Sequence, residues 1–241
     1  VRDVINPIEA SGGADPESRD DARRTIPVSL QALGRVVSVR DYADFARTFA
    51  GISKASAAAL SDGRGRTVVL TIGGADDIEI PEESDLYRNL DESLRKFGDP
   101  YQPFVIRLRE KIVLAGAARV RVDPDYLWSD VAPNIRAALL DTFSFDRRDY
   151  GQPVYPAEVI AAIQRVPGVA SVDLDVLGGI RSTNLVNFDI HTKTPHLPQL
   201  ASAHTILPRR ERFEGKTLHG AEIAYLPPQL ADLFILTEIQ A

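Results

Sequence analysis

The residues best able to do chemistry are the histidines, and all of them fall in the last quarter of the chain. They are His191, His196, His204 and His219, and Asp189 lies close to the first of them. Imidazole and carboxylate groups are good ligands for zinc and iron, so a metal site at His191 and His196 is one interpretation. No pair has the i, i+4 spacing that presents two imidazoles from one helix to one metal. We therefore expect no metal and no cofactor.

Three further pairs of side chains have spacings found in active sites. They are Asp123 with Asp125, Asp173 with Asp175, and Ser93 with Lys96. The first pair has the pattern of a turn that precedes a helix. The second pair alternates along a predicted strand, which points both carboxylates to solvent. The third matches the spacing of serine acylases, but its companion motifs are missing and it falls within an amphipathic helix. These patterns predict that the protein is not an enzyme.

The composition excludes several classes of function. The 241 residues are 44% apolar, carry a formal net charge of -6 and include no cysteine. Disulfides, thiolate catalysis and cysteine-ligated zinc are thereby excluded. The acidic balance gives no electrostatic reason to expect a nucleic-acid partner, and no apolar run reaches the roughly 20 residues of a membrane span. The chain begins at Val1 and has no methionine, which suggests a piece of a longer polypeptide or removal of an initiator methionine.

Local signals place an extended entry and a helical lead over residues 1–52. Asp15 and Pro16 favour the start of a short helix after Gly12-Gly13. Ser38 and Asp41 have the spacing of a capping box. The helix that follows carries apolar residues at the i, i+3, i+4, i+7 positions of one face, and Gly51 ends it. Those apolar residues are Tyr42, Phe45, Ala46 and Phe49.

The rest of the chain predicts two small modules of helix on sheet, with mostly antiparallel strands. Within residues 53–122 the sequence predicts a hairpin with strands at 54–60 and 67–72, a helix at 84–97, and two strands at 104–112 and 117–122. Within residues 123–241 it predicts helices at 129–143 and 156–164, a strand at 168–176, and two late strands at 221–225 and 233–237. A long loop is expected after residue 178, and the basic run at 209–212 is interpreted as part of a solvated loop. The predicted class is α+β.

The order of several short signals resembles the baseplate J-like family of contractile phage tails and related injection particles. The family-like signals are Gly12-Gly13 with Glu17 and Arg23, Asp41-Tyr42, Gly51, Asp99-Pro100, Asp123-Pro124, the segment 137–140, Gly151-Gln152, the segment 156–160 and the segment 166–169. Their order and spacing carry the resemblance, because no single one of them is specific. It is strongest over residues 6–145 and again over 151–176.

The resemblance implies a structural role as a wedge subunit, in a baseplate ring that holds and triggers the sheath. The implied partners are other wedge subunits, hub or spike proteins, sheath-proximal proteins, and a second copy or paralogue of this chain. Assembly in the bacterial cytoplasm, as part of a phage tail or tail-like particle, is implied as well. Arg23, Arg40, Asp41 and Tyr42 are the interface residues that we predict. The alternative function is a metal-dependent hydrolase with a histidine site in the C-terminal loop.

Overall fold

A computed structural model of the chain describes residues 36–61, 63, 65–181 and 202–239. The chain forms two compact units, the first ending at Ile106 and the second beginning at Arg107. Helices and strands occur in both units, which confirms the predicted α+β class. This division differs from the sequence-based boundaries after residues 52 and 122, because the strand at 110–122 pairs with strands of the second unit.

The first unit contains two helices and a three-stranded sheet. Its elements are α1 (Val39–Ala46), β1 (Ile52–Ser61), β2 (Arg66–Gly74), α2 (Asp85–Phe97) and β3 (Phe104–Leu108). The strand order is β1-β2-β3, and β1 and β2 form the predicted antiparallel hairpin. The predicted start and end of α2 are confirmed within a residue, because the Ser84 side chain accepts from the Tyr87 N–H and Gly98 closes the last turn.

The core of the first unit forms around β2, the central strand. Its residues from Val68 to Ile72 are almost completely buried, and Leu90 and Leu94 of α2 are fully buried with them. Phe97, the last residue of α2, is 41% exposed, and the centroid of its ring lies 5.8 Å from that of Phe45. The end of the helix therefore lies at the margin of the core.

The second unit is organised around one long strand. Its elements are β4 (Glu110–Val122), α3 (Trp128–Thr142), α4 (Pro156–Gln164), β5 (Val169–Arg181), β6 (Arg212–Glu214), β7 (Thr217–His219), β8 (Glu222–Tyr225) and β9 (Phe234–Glu238). On one side β4 pairs antiparallel with β5. On its other side it pairs with β8 near its start and with β9 further along, and both pairings are parallel.

Several sequence predictions for the second unit are confirmed and others are corrected. The helices and late strands form close to the expected positions. The pairing around β4 is mixed, because β5 is antiparallel to it and both β8 and β9 are parallel to it. The interruption between β3 and β4 falls at Arg109 rather than near residue 115. The strand β4 therefore includes the end of one predicted strand and the whole of the next.

The helices α3 and α4 cover one face of the β4–β5 pair. Buried residues at the helical spacing of α3 pack against alternate residues of β4 and β5, as the amphipathic pattern predicts. The members of this cluster that come from α3 and β4 are Val131, Ile135, Leu139, Ile112, Leu114, Ala118 and Val120. Gly116 faces tight packing, since a Cβ there would lie 2.7 Å from both the Val176 carbonyl oxygen and the Phe234 ring.

The segment predicted as a long loop after residue 178 contains regular structure. The strand β5 continues to Arg181. Among the described residues that follow, β6 and β7 form a short antiparallel hairpin, with Arg212 opposite His219. Gly215 turns the hairpin with a φ of +63°, a conformation that glycine adopts without strain.

Candidate functional site

The predicted interface residues Arg40 and Asp41 lie at the start of α1. Asp41 completes the predicted capping box: its Oδ2 accepts from the N–H groups of Val37 and Ser38 at 3.0 and 2.7 Å. Burial alone would raise the pKa of Asp41, but these hydrogen bonds and the one from the Ser38 hydroxyl lower it overall. The Arg40 side chain is 79% exposed and pairs with Asp44 at 3.4 Å. Arg40 is therefore available to a partner, while Asp41 holds the helix end. Arg23 lies outside the described residues.

Tyr42 belongs to the core of the first unit. It is 1% exposed, and its ring packs against Phe104 with centroids 5.7 Å apart. Burial, with a smaller effect of the Asp99 charge, raises the pKa of its hydroxyl. The side chain is thus not available for direct contact with a partner.

A groove of about 460 Å³ runs beside the entry to α1. Its lining combines apolar residues with one charge of each sign: Val36, Val37, Lys96, Phe97, Gly98, Asp99 and Pro100. Val37 is 76% exposed. The floor is held by backbone pairing, in which the Val36 N–H donates to the Phe97 carbonyl at 3.0 Å. This groove offers apolar contact area but, among its lining residues, no nucleophile paired with a base.

The histidines do not assemble a metal site in the described part of the chain. His191 and His196 lie outside the described residues. His204 contacts the Ser202 hydroxyl at 2.8 Å, and His219 contacts Glu110 at 2.7 Å. Within ranges 36–61, 63, 65–181 and 202–239, no group of three or more His, Asp or Glu residues could hold a metal ion.

The most concentrated chemistry in the described residues is an ion-pair network centred on Glu222. The side chain of Glu222, on β8, is 1% exposed. Its Oε1 accepts from Arg181 Nε at 3.0 Å and from Arg209 Nη2 at 2.8 Å. Its Oε2 accepts from the Arg209 backbone N–H, also at 2.8 Å. A buried carboxylate is stable only when its hydrogen-bonding capacity is filled in this way.

The network continues into the β6–β7 hairpin. Arg212 on β6 donates to Glu110 Oε2 at 2.9 Å and to Glu214 Oε1 at 2.9 Å, and its Nη2 lies 3.5 Å from Glu222 Oε1. His219 on β7 holds Glu110 with its Nδ1, and its Nε2 lies 3.6 Å from Glu214. Each carboxylate therefore faces at least one cation, and the hairpin is fixed to the start of β4.

The same contacts shift the acidities of the carboxyl groups. Burial would raise the pKa of Glu222, but the hydrogen bonds from Arg209 and Arg181 outweigh it and lower the pKa overall. The hydrogen bond from Arg212 lowers the pKa of Glu214. Both groups are thus charged at neutral pH, and the network works as a structural clamp rather than as an acid–base pair.

This network corrects the interpretation of the run at 209–212 as part of a solvated loop. Glu211 is 5% exposed, and the Arg212 side chain is 16% exposed. Arg181 lies 41 residues before its partner Glu222, so no local spacing in the sequence indicates that the two residues pair. The available signal is a single glutamate at the start of the otherwise apolar strand Glu222–Tyr225.

The strand aspartates Asp173 and Asp175 lie at the surface, as the sequence predicts. Arg119 binds both strand aspartates, Asp173 at 2.5 Å and Asp175 at 2.7 Å, and all three side chains are at least one-third exposed. Ser93 and Lys96 lie on the helix α2. None of the helices among the described residues is both long and apolar enough to cross a membrane.

Comparison with known proteins identifies the first unit. The profile of the Baseplate J-like central domain matches residues 34–107, which end within one residue of the first compact unit. The fold is similar to a chain in the solved structure "Cryo-EM structure of the anti-feeding prophage (AFP) baseplate, 6-fold symmetrised", with a TM-score of 0.51 and 14% identity. That similarity covers 86% of this chain and 41% of the other, so this chain spans less than half of that relative. No curated protein sequence matches.

The profile match falls on the residues that build α1, the β1–β2 hairpin, α2 and β3, so the sequence resemblance and the described fold agree on the same unit. The resemblance inferred from the sequence is confirmed over residues 34–107, which match the Baseplate J-like central domain.

Proposed function

We propose that this chain is a wedge subunit of the baseplate of a contractile phage tail or tail-like injection particle. In this role it assembles with other wedge subunits, with hub or spike proteins and with sheath-proximal proteins, in a ring that holds and triggers the sheath. The observation that carries the proposal is the family match over residues 34–107. The similarity of the fold to a chain from a six-fold symmetrised baseplate supports it.

The architecture of the second unit suits a part that must transmit force without deforming. Residues from β4, β5, β6, β7 and β8 meet in the Glu222 network, so that one cluster of ion pairs joins five strands. Fully paired charges in a site of low dielectric hold their geometry tightly, because any displaced group loses its partners without regaining water. A rigid block of this kind fits a subunit that rearranges as a body when a sheath contracts.

Mixed charge and apolar area on the first unit suit contact with specific neighbours. Arg40 projects into solvent beside the groove-lining residue Val37, and Lys96 and Asp99 place opposite charges along that groove. Charges of both signs reject wrong partners and fix the register of correct ones. Arg23, Asp41 and Tyr42 remain in the proposed interface, with Asp41 and Tyr42 acting through the placement of α1.

The proposed role is structural and not catalytic. Its place of assembly is the bacterial cytoplasm, where tail subunits meet before the particle is complete. Purification of particles from a strain that encodes this chain, with an affinity tag on the chain, tests the proposal. Mass spectrometry should find the tagged chain with sheath, tube and spike proteins, and electron microscopy should place it in the baseplate ring.

Deletion of the gene provides a second test of the proposed function. Without the chain, we expect tubes and sheaths that lack an attached baseplate, and re-expression should restore complete particles. Complete, contractile particles in the deletion strain would refute the proposed function.

A further inference from the structure

The strand β1 forms one edge of the three-stranded sheet in the first unit. It is ten residues long and, among the described strands, pairs with β2 alone. A free edge presents unpaired N–H and C=O groups, which natural proteins usually protect with charges, prolines or bulges. The edge strand β5 of the second unit follows this rule, because Asp173 and Asp175 lie on it.

The direction of the backbone groups of β1 follows from two hydrogen bonds. Val68 on β2 donates its N–H to Pro103 at 2.9 Å, which points it away from β1. Val68 lies opposite Ala59, so the N–H and C=O of Ala59 point away from β2 by the alternation of antiparallel pairs. Ala55 lies an even number of residues from Ala59, so its backbone groups point in the same direction. Its carbonyl accepts a hydrogen bond from Arg47 Nη2 at 3.0 Å, outside the sheet. Ala57 and Ala59 therefore direct their backbone groups to the open edge.

The open part of this edge lacks the usual protection. Arg47 covers the Ala55 carbonyl, but no hydrogen bond from the described residues reaches the backbone groups of Ala57 or Ala59. From Ala55 to Ser61 the strand contains no charge, no proline and no glycine. Its side chains in this stretch are small apart from Leu60, so another backbone can approach closely.

We infer that the open edge of β1, residues Ala57 to Ser61, pairs antiparallel with the same edge of a second copy of this chain. A two-fold axis beside Ala59 puts Ala59 opposite Ala59 of the partner subunit, and Ala57 opposite Ser61 of the partner subunit. No like charges then face each other. The inference rests on the proposed function only in placing this pair inside the particle.

A second copy is the occupant that the chemistry of the edge favours. The tract can hydrogen-bond to itself without bringing like charges together, whereas a charged partner strand would find no opposite charge within it. Two-fold pairing also uses up the edge of both copies, which closes the assembly and prevents further growth into fibres.

Single cysteines test the pairing and its register, because the chain contains none of its own. In the inferred pair the two Ala59 Cα atoms lie about 5.5 Å apart, which suits a disulfide. Purified Ala59→Cys should form a covalent dimer under mild oxidation, roughly tenfold faster than Ala57→Cys, whose two copies lie about 13 Å apart. A mixture of Ala57→Cys and Ser61→Cys should form the mixed dimer.

Equal cross-linking of Ala59→Cys and Ala57→Cys would indicate random collision and overturn the inference. So would a wild-type chain that sediments as a monomer while Ala59→Cys stays reduced. Ala59→Pro gives a second measure: it removes an N–H that β2 does not use, so it should abolish the dimer and leave the circular dichroism spectrum unchanged. The control Ala58→Pro removes an N–H directed at β2 and should unfold the sheet.

The two proposals fail in different ways. A chain that enters particles but does not cross-link at Ala59 leaves the baseplate function standing and refutes the edge pairing. A chain that cross-links at Ala59 but is absent from particles refutes the baseplate function and retains the edge pairing.

Discussion

Replacement of Glu222 by glutamine should destabilise the second unit and change its response to acid. The carboxylate accepts three hydrogen bonds from Arg209 and one from Arg181, all within 3.0 Å. The glutamine side chain would keep the volume but lose the charge, and its NH₂ group would meet donors. Breaking a buried ion pair costs about 3–5 kcal/mol. The arginine side chains are 41–44% exposed and regain water, so we expect about 2–3 kcal/mol.

The only tryptophan reports on the unit that contains the substitution. Trp128 lies on α3 and packs against the core of the second unit. Urea unfolding followed by its fluorescence at pH 7 should therefore measure the loss directly. Glu238→Gln, at an exposed position on β9, is the matched control and should stay within about 0.5 kcal/mol of wild type.

The pH dependence of the unfolding free energy provides a second test of the same prediction. The pKa of Glu222 is lowered in the folded protein below its usual value of 4.5. Its contribution is complete above that value and is lost as the pH falls through the folded pKa. The stability of wild type should thus converge on that of Glu222→Gln as the pH falls below 4.5. Equal stability of the two proteins at pH 7, or a difference that is constant down to pH 2, would refute the reasoning.

Three further predictions address other features. Ser38→Ala removes the cap of α1 and should destabilise the first unit by about 1 kcal/mol, measured by hydrogen exchange of α1 amides. Gly116→Ala should cost about 1–3 kcal/mol by urea unfolding, because the added Cβ lies 2.7 Å from a backbone oxygen. Elemental analysis should find no stoichiometric transition metal, and changing His191 and His196 to alanine should leave metal content and particle assembly unchanged.

Each of these has a contrary outcome. Unchanged α1 exchange in Ser38→Ala would mean that the capping hydrogen bond adds nothing in solution. Gly65→Ala, at a position with open space around its Cβ, is the control for Gly116→Ala, and equal effects of the two would contradict the packing argument. A bound metal lost on changing the two histidines would favour the hydrolase alternative.

The helices and strands were largely predictable, because their signals are local. Ser38 and Asp41 cap α1 through contacts three residues apart, and Ser84 and Gly98 delimit α2 in the same way. Buried apolar residues recur every four positions along α3, beginning at Val131. This pattern marks the buried face without any knowledge of the partner strand. Propensity and periodicity act over a few residues, so a single sequence exposes them.

The sequence by itself thus determined the α+β class, most of the helices and strands, and the resemblance to the baseplate J-like family, which the family profile supports over residues 34–107. Only the tertiary structure decided that Tyr42 is buried, that β8 runs parallel to β4, and that Glu222 gathers Arg181 and Arg209. Those outcomes depend on which distant segments meet. Burial and charge pairing are set by three-dimensional neighbours, and no spacing along the chain encodes a contact between residues 41 positions apart.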